Sequence, residues 1–418
     1  DLGWPFLILI VVMIGCSVWL VVSRRASLKT EHRLDSLLSR ESMFLANNLV
    51  LVAMAFVVFW GTFFPLISEA LTGTEQTLGP TWYGRYIAPL ALVLVALTAV
   101  GPLVPWRRSS WRLLRRPLLI TAVAGLLAAI GTVLLGAGDR PLAVLFFAAS
   151  GAAIATVVLE FARGAKARRA IAGEGPLRGT LSLLRRNNRR YGGYLVHLGI
   201  VVLLVGVAAS SAFQDVVDVR IQPGQVKEIG AGYSVRYDKR TTAVKTQGEE
   251  IEKLSFGAAV TLLRDGEVVA RLHPEREYYP LAGAGPDKPL SRWFAGESTG
   301  EIAMRTGPVR DVWIAMTPDT TRLLRAVEQG DPKLAALQGS DEYPRLLGVT
   351  IGALARSYVD NAPPATFRMI VSPLVRWVWI GGLLTFLGAL VCLVPTGRPR
   401  DRTERARYVA KVASEVSG

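Results

Sequence analysis

Seven stretches of this chain carry no Asp, Glu, Lys or Arg over lengths that can cross a lipid bilayer. They run approximately Leu2 to Val22, Ser42 to Ser68, Tyr86 to Trp106, Pro117 to Gly138, Pro141 to Leu159, Tyr191 to Gln214 and Trp377 to Val394. Spanning the hydrocarbon takes roughly 20 apolar residues rising about 1.5 Å each. All seven are therefore expected to be transmembrane helices. The fourth and fifth are separated only by a tight turn through Gly136, Gly138, Asp139, Arg140 and Pro141. A mean hydropathy of +0.34 fits that reading and argues against a disordered chain, a coiled coil or a soluble enzyme of ordinary composition.

The net charge of +15 does not point to nucleic acid, because the cations sit in short connections between apolar runs and form no folded basic face. Such connections stay on the cytoplasmic side. Arg24, Arg25, Lys29, Arg33 and Arg40 follow the first run, and Arg107, Arg108, Arg112, Arg115 and Arg116 follow the third. A third cluster from Arg163 to Arg190 lies between the fifth and sixth, and a fourth from Arg398 to Arg407 follows the seventh. The connections around Glu69 to Arg85 and Asp139 to Arg140 are nearly free of cations. The alternation predicts an outside N-terminus and a cytoplasmic C-terminus. The chain enters its first apolar run directly from Asp1, which reads as a fragment boundary and not as a signal peptide.

Between the sixth and seventh runs, Asp215 to Ser372 has nearly balanced charge and ordinary hydrophobicity, the marks of a small folded domain. Val216 to Ile221, Tyr233 to Tyr237, Gly257 to Leu263 and Val268 to Leu272 alternate as strands. Arg264-Asp265-Gly266 signals a hairpin, and Thr320 to Leu337 reads as a helix. The expected fold class is thus an α-helical polytopic membrane protein of about seven transmembrane helices, with a β-rich periplasmic domain inserted between helices 6 and 7. Its parts are a six-helix membrane region (1–214), the β-rich domain (215–372), the seventh helix (373–395) and a basic cytoplasmic tail (396–418).

Chemistry-bearing residues are few. Cys16 and Cys392 each lie inside an apolar run, which excludes a disulfide framework and a structural zinc site; no Cys-x-x-Cys-His occurs. Of three histidines, His32 in a charged loop and His273 at a strand end read as solvated side chains. His197 falls inside the sixth apolar run, about 9 Å along a helix starting near Tyr191. An imidazole at that depth faces a cofactor or bonds to a neighbouring helix, and the two readings stand level. Gly192, Gly193 and Gly199 on the same helix would admit a flat macrocycle or another helix. Arg190 returns to nearly the same face about 10 Å toward the cytoplasm, as a propionate contact or as an interfacial anchor. Asn47-Asn48 in the second run need hydrogen-bond partners, on another helix first and on a ligand's polar group as the alternative. The tryptophans near predicted helix ends fit an aromatic belt.

Several blocks in one order carry a resemblance over essentially the whole chain. They are Ser36-Leu37-Leu38-Ser39-Arg40-Glu41, Asn47-Asn48, Gly61-Thr62-Phe63-Phe64-Pro65-Leu66, and Arg189-Arg190-Tyr191-Gly192-Gly193-Tyr194-Leu195-Val196-His197-Leu198-Gly199. Pro274-Glu275-Arg276, Arg310-Asp311-Val312-Trp313 and Pro373-Leu374-Val375-Arg376-Trp377 complete the set. The chain resembles the C-terminal portion of the CcmF/NrfE-like family of cytochrome c-type biogenesis haem lyase subunits. The resemblance implies a multi-pass protein of the bacterial inner membrane with its inserted domain in the periplasm. It implies acceptance of haem, as substrate, from the haem chaperone CcmE and its covalent attachment to Cys-x-x-Cys-His of apocytochrome c, alongside CcmH-type thiol-handling subunits. It also implies a resident haem b that reduces the incoming haem iron, with quinol as electron donor.

By resemblance, His197 is an axial ligand to the iron of that b haem; Gly193 and Arg190, from their positions on the same helix, are the candidate cofactor-binding neighbours, Arg190 as a propionate contact. No residue is singled out for the thioether step. The family's tryptophan-rich segment, the histidines that hold substrate haem and the second b-haem ligand have no counterpart in this sequence. The resemblance therefore implies completion by an N-terminal half, in the same protein or as a separate chain. The competing classes are a transporter subunit, against which stands the lack of internal helix repeats or paired broken helices, and a non-catalytic assembly scaffold in which His197 only packs helices.

Overall fold

The computed structural model describes residues 3–28, 39–104, 111–247, 250–281, 285, 287–296, 298–361 and 364–394. The chain divides into two compact units, Asp1–Val123 and Ala124–Gly418. The first holds α1 (Gly3–Ser23), a short α2 (Arg25–Leu28), α3 (Arg40–Thr72), α4 (Pro80–Val100) and the start of α5 (Trp111–Thr132). Ser39 caps α3 by accepting the Ser42 N–H at 3.2 Å, and Gly73 ends it in the left-handed conformation. Gly61 lets the Tyr83 ring lie directly on the α3 backbone. Arg40 donates to the Val104 and Pro102 carbonyls at 3.1 and 3.2 Å, tying the start of α3 to the segment after α4.

The second unit continues through α6 (Pro141–Ala172), α7 (Pro176–Arg186) and α8 (Asn188–Ala212) and closes with α11 (Val375–Leu393). Among the described residues six helices are long and apolar enough to span a membrane: Arg40–Thr72, Pro80–Leu103, Leu114–Ala137, Pro141–Ala172, Asn188–Ala212 and Val375–Leu393. In α1 the apolar stretch, Ile8–Ser23, is shorter. Several helices outrun the charge-free stretches. α6 continues past Leu159 through Glu160, Arg163, Lys166, Arg168 and Arg169, because a charge ends a lipid-compatible run without ending a helix rich in Ala, Arg and Lys. Between α5 and α6 the backbone reverses through Gly136 at φ 92°, and Pro141 opens α6.

Within this unit α8 and α11 pack backbone to backbone. Gly192 meets Gly388 and Cys392, Gly199 meets Gly381 and Thr385, and Gly206 meets Val378 and the Leu374 carbonyl. The glycines recur every seven residues, which returns them to one face of α8. Lipid tails give helices no hydrophobic reason to associate, so close approach at small residues supplies the attraction.

The same pair continues beyond its helical ends. α8 gives way to β1 (Asp215–Ile221), and β10 (Ala365–Pro373) leads into α11 through Leu374, whose φ is 56° and whose N–H donates to the Val309 carbonyl at 2.8 Å. β1 and β10 pair antiparallel, Asp215 opposite Val371 and Ile221 opposite Ala365. One sheet runs β1-β10-β9-β8, with β8 at Ala303–Arg305 and β9 at Arg310–Thr317. The other runs β2-β3-β4-β6-β7, with β5 also on β4. Its members are β2 (Val226–Gly230), β3 (Tyr233–Gln247), β4 (Glu250–Arg264), β5 (Glu267–Leu272), β6 (Glu275–Tyr278) and β7 (Thr299–Glu301). Asp265 and Gly266, both at positive φ, make the hairpin between β4 and β5.

The two sheets share a core of Val235, Tyr237, Val260, Leu262, Ile314, Phe367 and Met369. α9 (Thr321–Ala335) and α10 (Tyr343–Asn361) cover a second core around Phe256, Trp293, Val327, Ile351 and Tyr358. Glu277 on β6 is buried and ion-paired to Lys253 on β4, with Tyr279 donating to its other oxygen at 2.7 Å. The Lys253 hydrogen bond holds the Glu277 carboxyl below the usual range.

Two outcomes follow. Gly199→Leu should lower the melting temperature and yield of the purified chain in detergent, whereas Gly193→Ala should leave both unchanged, since space around Gly193 is open. Glu277→Gln should melt below the parent at pH 7. A carboxyl whose folded pKa is depressed gives its stability above its unfolded value, so that gap should close as pH falls below about 4; melts across pH read both.

Candidate functional site

On α8, His197 is exposed and lies on the side of the helix away from the glycine seam. At 100° per residue, Gly192, Gly199 and Gly206 fall roughly 180–220° around from it. Gly193 is one turn before His197 on nearly the same side. A Cβ built there would meet nothing within 4 Å, so the backbone can be approached closely. The three glycines of the sequence reading thus separate by role: Gly192 and Gly199 pack against α11, and Gly193 borders the imidazole. The exposed stripe continues toward the β domain through Ile200, Val207 and Ser211.

Toward its start, α8 meets α6 in a cluster around one buried carboxylate. Glu160 is 7% exposed, and its Oε2 accepts from Arg190 Nη2 at 2.7 Å and from the Tyr194 hydroxyl at 3.0 Å. Its Oε1 accepts from Arg163 Nη1 at 3.1 Å. Arg190 Nε also donates to the Tyr194 hydroxyl at 3.1 Å, and the guanidinium lies over the Tyr191 and Tyr194 rings. Val157, Leu183, Tyr191 and Tyr194 pack beside it. Burying a carboxylate is costly unless donors surround it at this density. The group holds two cations and one anion, so one positive charge is left to offer an anionic ligand.

Arg190 is therefore neither a bare anchor nor a free propionate clamp, because Glu160 and Tyr194 already orient it. Glu160, Arg163 and Tyr194 were not singled out in the sequence. Their one signal is that Glu160 and Glu174 are the sole acids between Pro141 and Arg190 in a strongly basic stretch. His273 is exposed beyond β5, and His32 lies outside the described residues. Asn47 is half-buried and Asn48 exposed on α3. Cys392 is half-buried, its Sγ 3.7 Å from the Arg189 carbonyl. The described residues hold no group of three or more His, Cys, Asp or Glu side chains fit for a metal ion.

No family model matches the chain. Individual relatives do, along nearly all of it. The cytochrome c-type biogenesis protein CcmF of Pseudomonas aeruginosa is 29% identical over 419 residues, covering 100% of this chain and 51% of that protein. CcmF of Escherichia coli is 27% identical over 404 residues, covering 94% and 49%. The cytochrome c-type biogenesis protein NrfE of Haemophilus influenzae is 21% identical over 409 residues, covering 96% and 51%. The chain thus spans about half the length of these relatives. A solved structure titled cytochrome c haem lyase CcmF covers 86% of this chain and 46% of its own, with a TM-score of 0.55 at 23% identity, a likeness of fold.

The cluster makes its own prediction. Removing both cations with Arg163→Ala/Arg190→Ala leaves the buried carboxylate its Tyr194 bond but no cation, and should cost about 3 kcal/mol. Adding Glu160→Leu to that pair should recover much of the loss in thermal melts of the purified chain.

Proposed function

We propose that this CcmF-like cytochrome c biogenesis protein is the membrane redox and docking part of a cytochrome c haem lyase, in which His197 is an axial ligand of a resident b-type haem. The observation that carries the reading is the side of α8 on which His197 lies. The seam with α11 occupies the opposite face, the cluster with Glu160 occupies the flank, and the imidazole is used by neither. Gly193 leaves backbone open beside it, where a bulkier residue would hold a planar ring away. A neutral imidazole in an apolar setting is a good iron ligand, so the residues present fit the group.

Bound there, a b haem would supply one-electron transfer to substrate haem iron, with quinol as the source of electrons. The chain's own residues supply position and charge. α8 fixes the imidazole, because its backbone is locked to α11. Arg190, held by Glu160 and Tyr194, presents positive charge one to two turns away, where a propionate could share the guanidinium. The β domain rises from the same helix pair, so a docking surface and the redox ligand share one rigid element. Its docking partners in this reading are the haem chaperone CcmE, apocytochrome c and CcmH-type subunits. The chain would work in the bacterial inner membrane with its N-terminus and β domain in the periplasm and its C-terminus in the cytoplasm. A second histidine ligand and the substrate-haem ligands would come from an N-terminal half. The names of the relatives support the reaction class; the cation-rich connections support the orientation.

The test is haem content. In the complete membrane complex, His197→Ala should abolish most of the b-type absorbance and sharply reduce attachment of haem to a reporter apocytochrome, whereas His273→Ala should change neither. Undiminished absorbance and attachment in the His197 variant would overturn the assignment.

A further inference from the structure

The connection between α6 and α8 is more than a basic loop. α7 is an 11-residue helix whose Gly179 and Leu183 are buried, and Leu183 packs with Tyr191 over Gly164 of α6. That contact pins α7 where two membrane-spanning helices end, at the level of the bilayer surface. Its remaining faces divide. Leu177 and Leu181, one turn apart, are 82% and 61% exposed, and Ile171 at the end of α6 is 79% exposed. Arg178, Arg185 and Arg186 are exposed too, on an arc that starts about 40° around the helix from Leu181 and runs away from the leucines. Water would leave those leucines solvated at a cost, whereas a helix lying in the interface buries them among acyl chains and keeps its arginines among headgroups. Beside α7 the exposed side of α6 forms a groove of about 600 Å³ lined by Ala162, Ala165, Lys166, Arg169, Ala170 and Pro176. Its lining sets two cations, Lys166 and Arg169, among small apolar side chains, a pairing that matches an anionic head beside apolar groups.

We propose that α7 lies in the membrane interface and that the adjoining groove of α6 binds an anionic phospholipid, its phosphate held by Lys166 and Arg169 and its acyl chain laid over the alanines. The charge balance of the segment selects this occupant. Its acids are Glu160 and Glu174; Glu160 is bound by Arg163 and Arg190, and Glu174 is ion-paired to Arg168. Neither neutralises Lys166 or Arg169. The proposal does not depend on any haem being bound.

Native mass spectrometry of the purified full chain in detergent, with added phosphatidylglycerol or phosphatidylcholine, tests it. The parent should retain phosphatidylglycerol and release phosphatidylcholine. Lys166→Gln/Arg169→Gln should weaken retention about 30-fold, from roughly fivefold per cation near a charged membrane surface. Lys227→Gln, on β2, should not. Leu177→Ser/Leu181→Ser is a second route should the first variant fold poorly, and should also reduce retention. Inorganic phosphate at millimolar concentration should not displace the lipid. Equal retention of both lipids, unchanged retention in both double variants, or displacement by inorganic phosphate would each overturn the proposal.

Discussion

The close approach of α8 and α11 is the contact on which the rest of the second unit depends. Gly192, Gly199 and Gly206 on one helix, with Gly381 and Gly388 on the other, remove the side chains that would hold two backbones apart. In a solvent as apolar as leucine, that packing replaces the hydrophobic effect as the reason for two spans to stay together. Because α8 is fixed on one side, its opposite side is defined as well, and that is where Gly193 and His197 lie. The pair also does not stop at the membrane. β1 and β10 extend it as hydrogen-bonded strands, Leu374 is locked by the Val309 carbonyl, and Trp377 donates to the Pro308 carbonyl at 3.2 Å. The inserted domain is therefore built onto the helix pair.

Polar chemistry inside the helical part concentrates at the end of α8 remote from that domain. Glu160 collects Arg163, Arg190 and Tyr194 within hydrogen-bonding distance. One carboxylate thus joins α6 to α8 and sets the direction of Arg190. Such a network is costly unless fully satisfied, and here both carboxylate oxygens have donors. Arg190 lies about two turns from His197 along α8; under the proposed function its charge would serve a ligand with an apolar body and acidic substituents.

Much of this was legible in the sequence. Charge-free runs marked the helical spans, since an ionised side chain in lipid is expensive wherever it stands. Alternation marked β1, β5 and parts of β3 and β4, and the Asp265-Gly266 pair marked their hairpin. The ends of α3 and α6 were not legible, because the rule that ends a span is not the rule that ends a helix. Nor was α10, whose apolar residues Leu346, Leu347, Ile351, Leu354 and Tyr358 cover a core known only once the sheets exist. His197 stood out because histidine is scarce and deep in an apolar run. Glu160 did not, since its partner Arg190 is thirty residues away and only helix packing brings them together. The glycines were seen but not sorted: periodicity puts Gly192 and Gly199 on one face, yet only the position of α11 says which face a helix already fills.

The most direct measurement is a density map of the complete membrane complex. The account predicts a porphyrin lying over Gly193 with its iron at bonding distance from an imidazole nitrogen of His197, and the seam of α8 with α11 intact behind it. A map in which His197 faces lipid or another helix and no porphyrin lies beside it would contradict the proposed function.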